Sequence, residues 1–258
     1  RVIGRFGVGM EGLDLATATK LGIPVTFTPN LSEAVADHTF GLMLAAARRI
    51  TEIDHAVKSG IWVTEPFVAH DVYRKTLGIV GLGRIGSAVA RRAKGFNMRI
   101  LYYDLERRPE LEREIGAEFV PLANLLQESD FVTIHTPLTE RSRGLIGASE
   151  FSLIRPNAFI INTARGPVID EKALIEALRS KKIAGAGLDV LLAEPPASAN
   201  PLLKMSNVVI TSHVASVTAD TRRRISLEVA EDVLRVLDGK KPRFLANPEV
   251  LKIKALAD

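Results

Sequence analysis

The chain contains no cysteine and no long run of apolar residues, and both absences exclude classes of protein. Without cysteine, the 258 residues can form no disulfide, no thiolate metal site and no cysteine nucleophile. No apolar stretch approaches the ~18 residues that a transmembrane helix needs, and no charged segment followed by an apolar one marks a secretory signal. We therefore expect a cytoplasmic protein with no membrane partner.

A strong excess of charge and a histidine cluster are also missing. The 34 Lys and Arg residues nearly balance 30 Asp and Glu residues and are spread along the chain. Because no basic run is interleaved with aromatic residues, we expect no nucleic-acid partner. No histidine has the spacing to a second ligand that metal sites show, so we predict no catalytic metal. Besides His213, the histidines are His38, His55, His70 and His135, of which we expect His55 and His70 to face solvent.

A glycine-rich turn is the most informative motif that is present. The apolar run 77–80 leads into Gly81-x-Gly83-x-x-Gly86, after which the pattern is helical. In a dinucleotide-binding turn the first glycine permits the turn, the second lets the pyrophosphate approach the backbone, and the third lets helix and strand pack closely. Free amides at the helix start would face the phosphates. This context predicts a dinucleotide site; the alternative is a glycine-rich turn that binds nothing.

The end of the next strand indicates which dinucleotide binds. The apolar run 99–103 ends at Asp104, 18 residues beyond Gly86. A carboxylate here accepts hydrogen bonds from the adenine ribose hydroxyls and repels a 2′-phosphate, so we predict NAD. NADP is the alternative, because Arg107 and Arg108 follow closely and could reach a 2′-phosphate.

Apolar strands alternate with helices beyond residue 76, as in a parallel sheet covered on both faces. We predict an α/β fold in which a doubly wound (Rossmann) nucleotide-binding domain spans 32–239, including a helix over 32–58 and an extended arm over 61–75. A smaller domain would consist of 1–31 and 240–258; it starts abruptly within a strand, so we expect further residues upstream. Candidate strands are 77–81, 99–103, 117–120, 130–135, 157–162, 185–189 and 207–211, and candidate helices are 84–95, 108–115, 121–128, 170–180 and 217–238.

Three polar residues follow predicted strands and can meet at the carboxyl edge of the sheet. Arg165 offers a planar set of donors for a carboxylate, and His213 can exchange a proton near neutral pH. A carboxylate such as Glu194 beside a histidine favours its protonated form and fixes its orientation. Hydride transfer to a ketone of a 2-oxoacid needs this set. The alternative is that Arg165 caps a helix, Glu194 is a solvated loop residue and His213 is a packed core histidine.

Four motifs in order resemble the D-isomer-specific 2-hydroxyacid dehydrogenase family, which includes D-3-phosphoglycerate dehydrogenase, hydroxypyruvate and glyoxylate reductases, and D-lactate dehydrogenase. The resemblance covers nearly the whole chain and implies a Rossmann domain with an incomplete smaller, flavodoxin-like substrate domain. The motifs are Gly81 to Gly86, Asn162-Thr163-Ala164-Arg165-Gly166, Gly187-Leu188-Asp189-Val190 with Glu194-Pro195-Pro196, and Ser212-His213-Val214-Ala215.

The resemblance also implies a role for individual residues. Arg165 would grip the substrate carboxylate and carbonyl, His213 would be the general acid and base, and Glu194 would pair with His213. The loop Gly7-Val8-Gly9 would bind substrate, although Glu11-Gly12 stands where the family commonly has Asp-Asn. Implied cofactor contacts come from Val8, Arg84, Ile85, Asp104 at the adenosine ribose, Thr136 near the adenosine, Thr163 and Ala164 at the nicotinamide ribose, Asp189 at the carboxamide, His213 and Ala215, together with Gly81, Gly83 and Gly86.

We therefore expect an NAD-dependent oxidoreductase acting on a small D-2-hydroxyacid or 2-oxoacid, with 3-phosphoglycerate, hydroxypyruvate or glyoxylate favoured. The formate dehydrogenase branch of the family pairs a glutamine with the histidine. Because this chain has Glu194 at that position, the resemblance disfavours a formate dehydrogenase. The resemblance also implies a homodimer through 32–75, with Trp62 and Phe67 at its surface. Two alternatives stay open: an NAD(H)-sensing interaction protein like the corepressor branch of the family, and an inactive nucleotide-binding fragment.

Overall fold

The computed structural model describes residues 1–63 and 68–257, and the chain divides into two units. The smaller unit consists of Arg1–Ala34 and Ser216–Asp258, and the larger consists of Val35–Ala215. The strands are β1 (Ile3–Arg5), β2 (Val25–Phe27), β3 (Thr76–Val80), β4 (Arg99–Tyr103), β5 (Ala117–Phe119), β6 (Phe131–Ile134), β7 (Phe159–Asn162), β8 (Gly185–Leu188) and β9 (Val208–Ile210). The α-helices are α1 (Leu15–Lys20), α2 (Ser32–Ala47), α3 (Ile50–Lys58), α4 (Arg84–Gly95), α5 (Pro109–Ile115), α6 (Leu122–Glu128), α7 (Ala148–Leu153), α8 (Glu171–Arg179) and α9 (Ala219–Leu237).

The larger unit is built on a seven-stranded, fully parallel sheet in the order β5-β4-β3-β6-β7-β8-β9. The order reverses direction between β3 and β6, which opens a crevice at the carboxyl ends of these strands. Successive side chains of a strand point to opposite faces. Accordingly, Leu77 and Ile79 of β3 belong to one apolar core and Val80 to the other. The predicted doubly wound α/β fold is confirmed.

The smaller unit pairs β1 with β2 in parallel and packs both strands against α9. A Cβ on Gly4 would lie 2.8 Å from Val233 Cγ2, so the β1 backbone sits directly on this helix. Buried Asp232 of α9 accepts hydrogen bonds from the hydroxyl of Thr26 at 3.2 Å and from Arg243 Nε at 2.9 Å. These contacts place α9 with the smaller unit, whereas we expected the boundary at residue 239.

The helix expected over 32–58 is divided in two. Arg49 adopts φ 53° and separates α2 from α3. The strands and helices predicted beyond residue 76 begin and end within two residues of those observed, but no helix was predicted where α7 lies. His70 is half-buried, with its ring 5.2 Å from that of Phe159, so the expectation that it faces solvent was wrong.

No helix among the described residues is long and apolar enough to span a bilayer. Phe67, one of the two aromatic residues expected at a dimer surface, lies outside the described residues.

Candidate active site

The glycine-rich turn after β3 has the geometry that a dinucleotide needs. Gly81 adopts φ 97°, in the left-handed region that glycine favours, and its amide donates to Tyr103 O at 2.8 Å. A Cβ on Gly86 would collide with the carbonyl oxygen of Gly81, so the third glycine lets α4 pack on the turn. Nothing lies within 4 Å of the Cβ position of Gly83. The backbone at the second glycine is therefore open to a ligand.

The first turn of α4 offers unpaired amides. Gly83 is its N-cap and supplies no side-chain cap, so the amides of Arg84, Ile85 and Gly86 have no acceptor within the helix. The first turn also contains no acidic residue. Amides at a helix start attract anions, so this turn fits the pyrophosphate of a dinucleotide.

A cavity of about 300 Å³ lies beside the turn, at the carboxyl ends of β3, β4 and β6. It brings together Gly81, Gly83, Asp104 and Thr136, all of which the sequence singled out. Asp104 is fixed at the cavity wall, because its carboxylate accepts from the amide of Leu82 at 2.9 Å and from that of Leu105 at 2.7 Å. Other lining residues include Tyr103, Leu105, Arg108, His135 and Pro137.

Three buried polar atoms in the wall of this cavity lack a hydrogen-bond partner within the described part of the chain. They are Arg108 Nε, His135 Nδ1 and Thr136 Oγ1. The other ring nitrogen of His135 lies 2.9 Å from Thr133 Oγ1, and burial lowers the pKa of this histidine to about 3. Because buried polar groups are normally paired, these atoms fit a polar ligand such as the adenosine of NAD. No sequence pattern indicates His135 as a residue of this site.

Arg107 and Arg108, the residues that kept NADP open, differ in their contacts. Arg107 forms a two-point ion pair with Glu112, with N···O distances of 2.8 and 2.9 Å. This pair, together with the hydroxyl of Tyr102, lowers the pKa of Glu112 to about 2. Arg108 instead lines the cavity next to Asp104. Of the two arginines, Arg108 is therefore the one placed to contact a ligand in the cavity.

Arg165 follows the end of β7 and is held by the asparagine that ends the strand. The Asn162 side chain donates to Arg165 O at 3.0 Å and accepts from the amide of Ala164 at 3.0 Å. Arg165 itself is half-buried. The hydroxyl of Thr163, two residues before Arg165, lies 3.0 Å from that of Thr39 on α2.

Glu194 and His213 form a direct pair at the ends of β8 and β9. His213 Nδ1 donates to Glu194 Oε2 at 2.7 Å, and Glu194 Oε1 accepts from the amide of Leu191 at 3.1 Å. Both side chains are partly open to solvent, with 50% of His213 and 38% of Glu194 exposed. The pair fixes the ring and leaves Nε2 as the nitrogen that can meet a substrate.

The loop that carries Arg165 packs against the loop that carries Glu194. A Cβ on Gly166, the residue after Arg165, would collide with the backbone of Leu191. The structure therefore places Arg165, Glu194 and His213 after three neighbouring strands at one edge of the sheet. This arrangement can bind a carboxylate and exchange a proton beside it.

Asp189 lies one residue beyond β8 and is surrounded by donors of this chain. Its carboxylate accepts from the amides of Val214 and Ala215, each at 2.9 Å, and from Thr211 Oγ1 at 2.6 Å. His38 Nε2 lies 3.5 Å from the same carboxylate and 2.9 Å from Thr211 Oγ1. His38 and Thr211 were missed, because no local pattern links residues so far apart along the chain.

Val8 and Gly9, expected at the substrate and the nicotinamide, lie in the smaller unit, in the loop after β1. Gly7 turns this loop with φ 113°, and its amide donates to Thr28 Oγ1 at 2.9 Å. Arg5 Nε donates to Gly9 O at 2.7 Å, and 39% of Val8 is exposed. Their contacts with ligands stay predictions. Within 1–63 and 68–257, no group of three or more His, Asp or Glu side chains could hold a metal ion.

Comparison with known proteins identifies the family to which this architecture belongs. Residues 40–215 match the model of the D-isomer specific 2-hydroxyacid dehydrogenase NAD binding domain. The chain is 49% identical to glyoxylate reductase of Korarchaeum cryptofilum over 98% of its own length and 78% of that protein. It is 46% identical to glyoxylate reductase of Thermococcus litoralis over 97% of its own length and 78% of that protein.

Solved structures agree with this relationship. The TT0316 protein of Thermus thermophilus aligns with a TM-score of 0.90 at 39% identity, covering 95% of this chain and 78% of that one. D-lactate dehydrogenase of Lactobacillus jensenii, solved with NAD⁺, aligns with a TM-score of 0.85 at 30% identity and the same coverage. The chain therefore belongs to the D-isomer-specific 2-hydroxyacid dehydrogenase family, and it is an NAD-dependent oxidoreductase of small 2-hydroxyacids and 2-oxoacids.

Proposed function

We propose that the protein is a glyoxylate reductase, which converts glyoxylate, NADH and a proton to glycolate and NAD⁺. The observation that carries the chemistry is the 2.7 Å hydrogen bond between His213 Nδ1 and Glu194, beside the loop of Arg165. The choice of glyoxylate over hydroxypyruvate and 3-phosphohydroxypyruvate rests on the 49% and 46% identity to proteins named glyoxylate reductase.

In this proposal the residues at the carboxyl edge of the large sheet would hold NAD. The amides of Arg84, Ile85 and Gly86 would bind the pyrophosphate, Asp104 would accept from the adenosine ribose, and Thr136 would contact the adenosine. Thr163 and Ala164 would contact the nicotinamide ribose, with Val8, Asp189, His213 and Ala215 as the further predicted contacts. Bound NADH supplies the hydride that reduces the substrate carbonyl carbon.

Arg165 and His213 divide the work on the substrate. The Arg165 guanidinium binds the carboxylate and the adjacent carbonyl oxygen of the 2-oxoacid, which orients the carbonyl carbon. His213 donates the Nε2 proton to the carbonyl oxygen as the carbon is reduced, and takes it back in the oxidative direction. Glu194 holds the ring through Nδ1 and offsets the positive charge of the protonated form. The backbone amides of Val8 and Gly9, in the loop after β1, are the further predicted donors for the carboxylate.

We also propose that the protein forms a homodimer through 32–75. Several apolar side chains of α3 and the segment after it are exposed: Ile50, Val57, Ile61, Trp62 and Val68, with Trp62 78% exposed. Exposed apolar groups of this size favour an interface. Sedimentation should show a dimer at micromolar concentration, and Trp62→Glu should weaken it; a monomeric wild type would contradict the proposal. The cytoplasmic location stays a prediction.

The test of the proposed function is a substrate panel. NADH consumption is measured with glyoxylate, hydroxypyruvate, pyruvate and 3-phosphohydroxypyruvate, and NADH affinity is measured separately by fluorescence. We expect the highest kcat/KM with glyoxylate. A higher value with another member of the panel would replace glyoxylate as the substrate. NADH binding without turnover of any member would instead favour an NAD(H)-sensing interaction protein.

A further inference from the structure

His213 has a backbone conformation that side-chain-bearing residues rarely adopt. Its φ is 56°, in the left-handed region, although it is not a glycine. Such a conformation persists when surrounding contacts hold it, and it is often found at functional sites. The contacts that hold it therefore decide where the ring lies.

Those contacts converge on one residue. The amide of His213 donates to Asp189 O at 2.8 Å. The next two amides, those of Val214 and Ala215, donate to the two carboxylate oxygens of Asp189 at 2.9 Å each. Three successive amides around the left-handed residue are thus bound by the backbone and side chain of a single aspartate.

The remaining surroundings of the Asp189 carboxylate also belong to the chain. The Thr211 hydroxyl donates its only proton to Oδ1 at 2.6 Å, so its oxygen accepts from His38 Nε2 at 2.9 Å. His38 is also the charged or titratable group facing the carboxylate, at 3.5 Å, and only 1% of the aspartate side chain is exposed. The carboxylate is therefore largely saturated before any ligand arrives.

The loop after β8 consequently holds His213 at two places. Asp189, at its start, binds the backbone on either side of the left-handed residue, and Glu194, further along, binds the ring at Nδ1. Loss of the Asp189 hydrogen bonds to the backbone would therefore move the ring of His213 away from Glu194. Glu194 and the ring of His213 are the titratable groups whose pairing would then change.

We propose that Asp189 is a positioning residue for His213: its carboxylate holds the left-handed turn that brings the imidazole onto Glu194, and its main effect on the reaction runs through that imidazole. The proposal rests on the proposed function in taking His213 as the proton donor. The family resemblance implies a second role for Asp189, as an acceptor for the nicotinamide carboxamide, and the two roles predict different effects of the same substitution.

The variant Asp189→Asn separates the two roles. An amide keeps the shape but turns one acceptor into a donor, which must then face the amide of Val214 or Ala215. We expect kcat to fall roughly tenfold or more while the Kd for NADH changes less than about threefold. We also expect the pH at which reduction is half-maximal to move lower, because the protonated ring loses its partner. A rise in the Kd for NADH with kcat and the pH profile preserved would overturn the proposal.

Asp104→Asn is the matched control at the adenosine end, where the carboxylate is also bound by two amides. It should give the opposite split, with a larger change in Kd than in kcat. If Asp189→Asn fails to fold, Thr211→Val removes one donor from the same carboxylate. This variant should lower kcat in the same direction by a smaller factor; an unchanged kcat and pH profile would overturn the proposal.

A readout without turnover keeps this proposal distinct from the proposed function. The Nδ1 proton that His213 shares with Glu194 should give a downfield proton resonance in the wild type, which Glu194→Gln identifies by its loss. Asp189→Asn should weaken or shift the same resonance. An unchanged resonance in Asp189→Asn would refute the positioning role, whatever substrate the enzyme reduces.

Discussion

The two ends of the crevice are built in different ways. The end proposed for the adenosine (the adenosine end) comes from one short stretch of chain, in which Gly81, Gly86 and Asp104 share a strand–turn–helix–strand unit. The end proposed for proton transfer (the proton-transfer end) gathers Arg165, Glu194 and His213 from loops after three different strands. Local geometry leaves a pattern that the sequence displays, whereas a site assembled across strands depends on the whole sheet. The two ends should therefore respond differently to substitution.

The largest effect should come from the proton-transfer end. Arg165→Ala removes the donors proposed for the carboxylate and carbonyl, so we expect kcat/KM for glyoxylate to fall roughly 100- to 1,000-fold. The Kd for NADH should change little. Arg165→Lys is the matched variant: it retains the charge but not the planar set of donors, so it should recover only part of the loss. Full turnover by Arg165→Ala would remove this residue from the site.

A comparison within the glycine-rich turn should separate folding from binding. Gly86→Val places side-chain atoms against the Gly81 carbonyl. The free energy of unfolding should therefore fall by about 3 kcal/mol, and NADH affinity should be lost as well. Gly83→Ala meets nothing within 4 Å. It should therefore leave the unfolding midpoint unchanged and weaken NADH binding alone. Equal stability of the two variants in denaturant titrations would contradict this assignment.

The pH dependence of stability should report on His135, which lines the cavity proposed for the adenosine. The pKa of His135 is lowered from 6.5 to about 3, so between these values the unfolded chain binds a proton that the folded chain does not. Stability should therefore fall as the pH falls, by about 1.4 kcal/mol per pH unit from this group. Urea titrations at pH 7 and pH 5 should show a smaller difference for His135→Gln than for the wild type.

His55 on α3, which is exposed, supplies the control for that experiment. His55→Gln should leave the difference between pH 7 and pH 5 at its wild-type value. A wild-type difference that His135→Gln does not reduce would show that the ring of His135 accepts a proton in the folded protein.

The smallest effect concerns cofactor choice. Arg108 lines the adenosine cavity, whereas Arg107 is held by Glu112. Arg108→Gln should lower kcat/KM with NADPH about threefold relative to kcat/KM with NADH, an effect of the size of one charge contact at the surface. Arg107→Gln should leave the ratio unchanged. Equal effects of the two substitutions on the Kd of 2′,5′-ADP would contradict the distinction.

Features of this molecule that depend on contacts local in the chain could be predicted from its sequence, whereas features that depend on contacts between distant elements could not. The buried strands read as apolar runs, and the glycine spacing and Asp104 reflect contacts within one βαβ unit. The break between α2 and α3 occurs at Arg49, not at a glycine or proline, so the sequence pattern does not indicate it. The links of Asp189 to Thr211 and His38 join residues from different elements, so they emerge only when the sheet is assembled.

The central claim is that the imidazole of His213, held by Glu194, exchanges the proton of the 2-oxoacid. The most direct test is kcat for glyoxylate reduction by His213→Ala at saturating NADH, with the Kd for NADH measured on the same preparation. The account predicts a loss of kcat of roughly 100- to 10,000-fold with NADH still bound at a Kd within about threefold of the wild type. Retention of more than about a tenth of the wild-type kcat would contradict it.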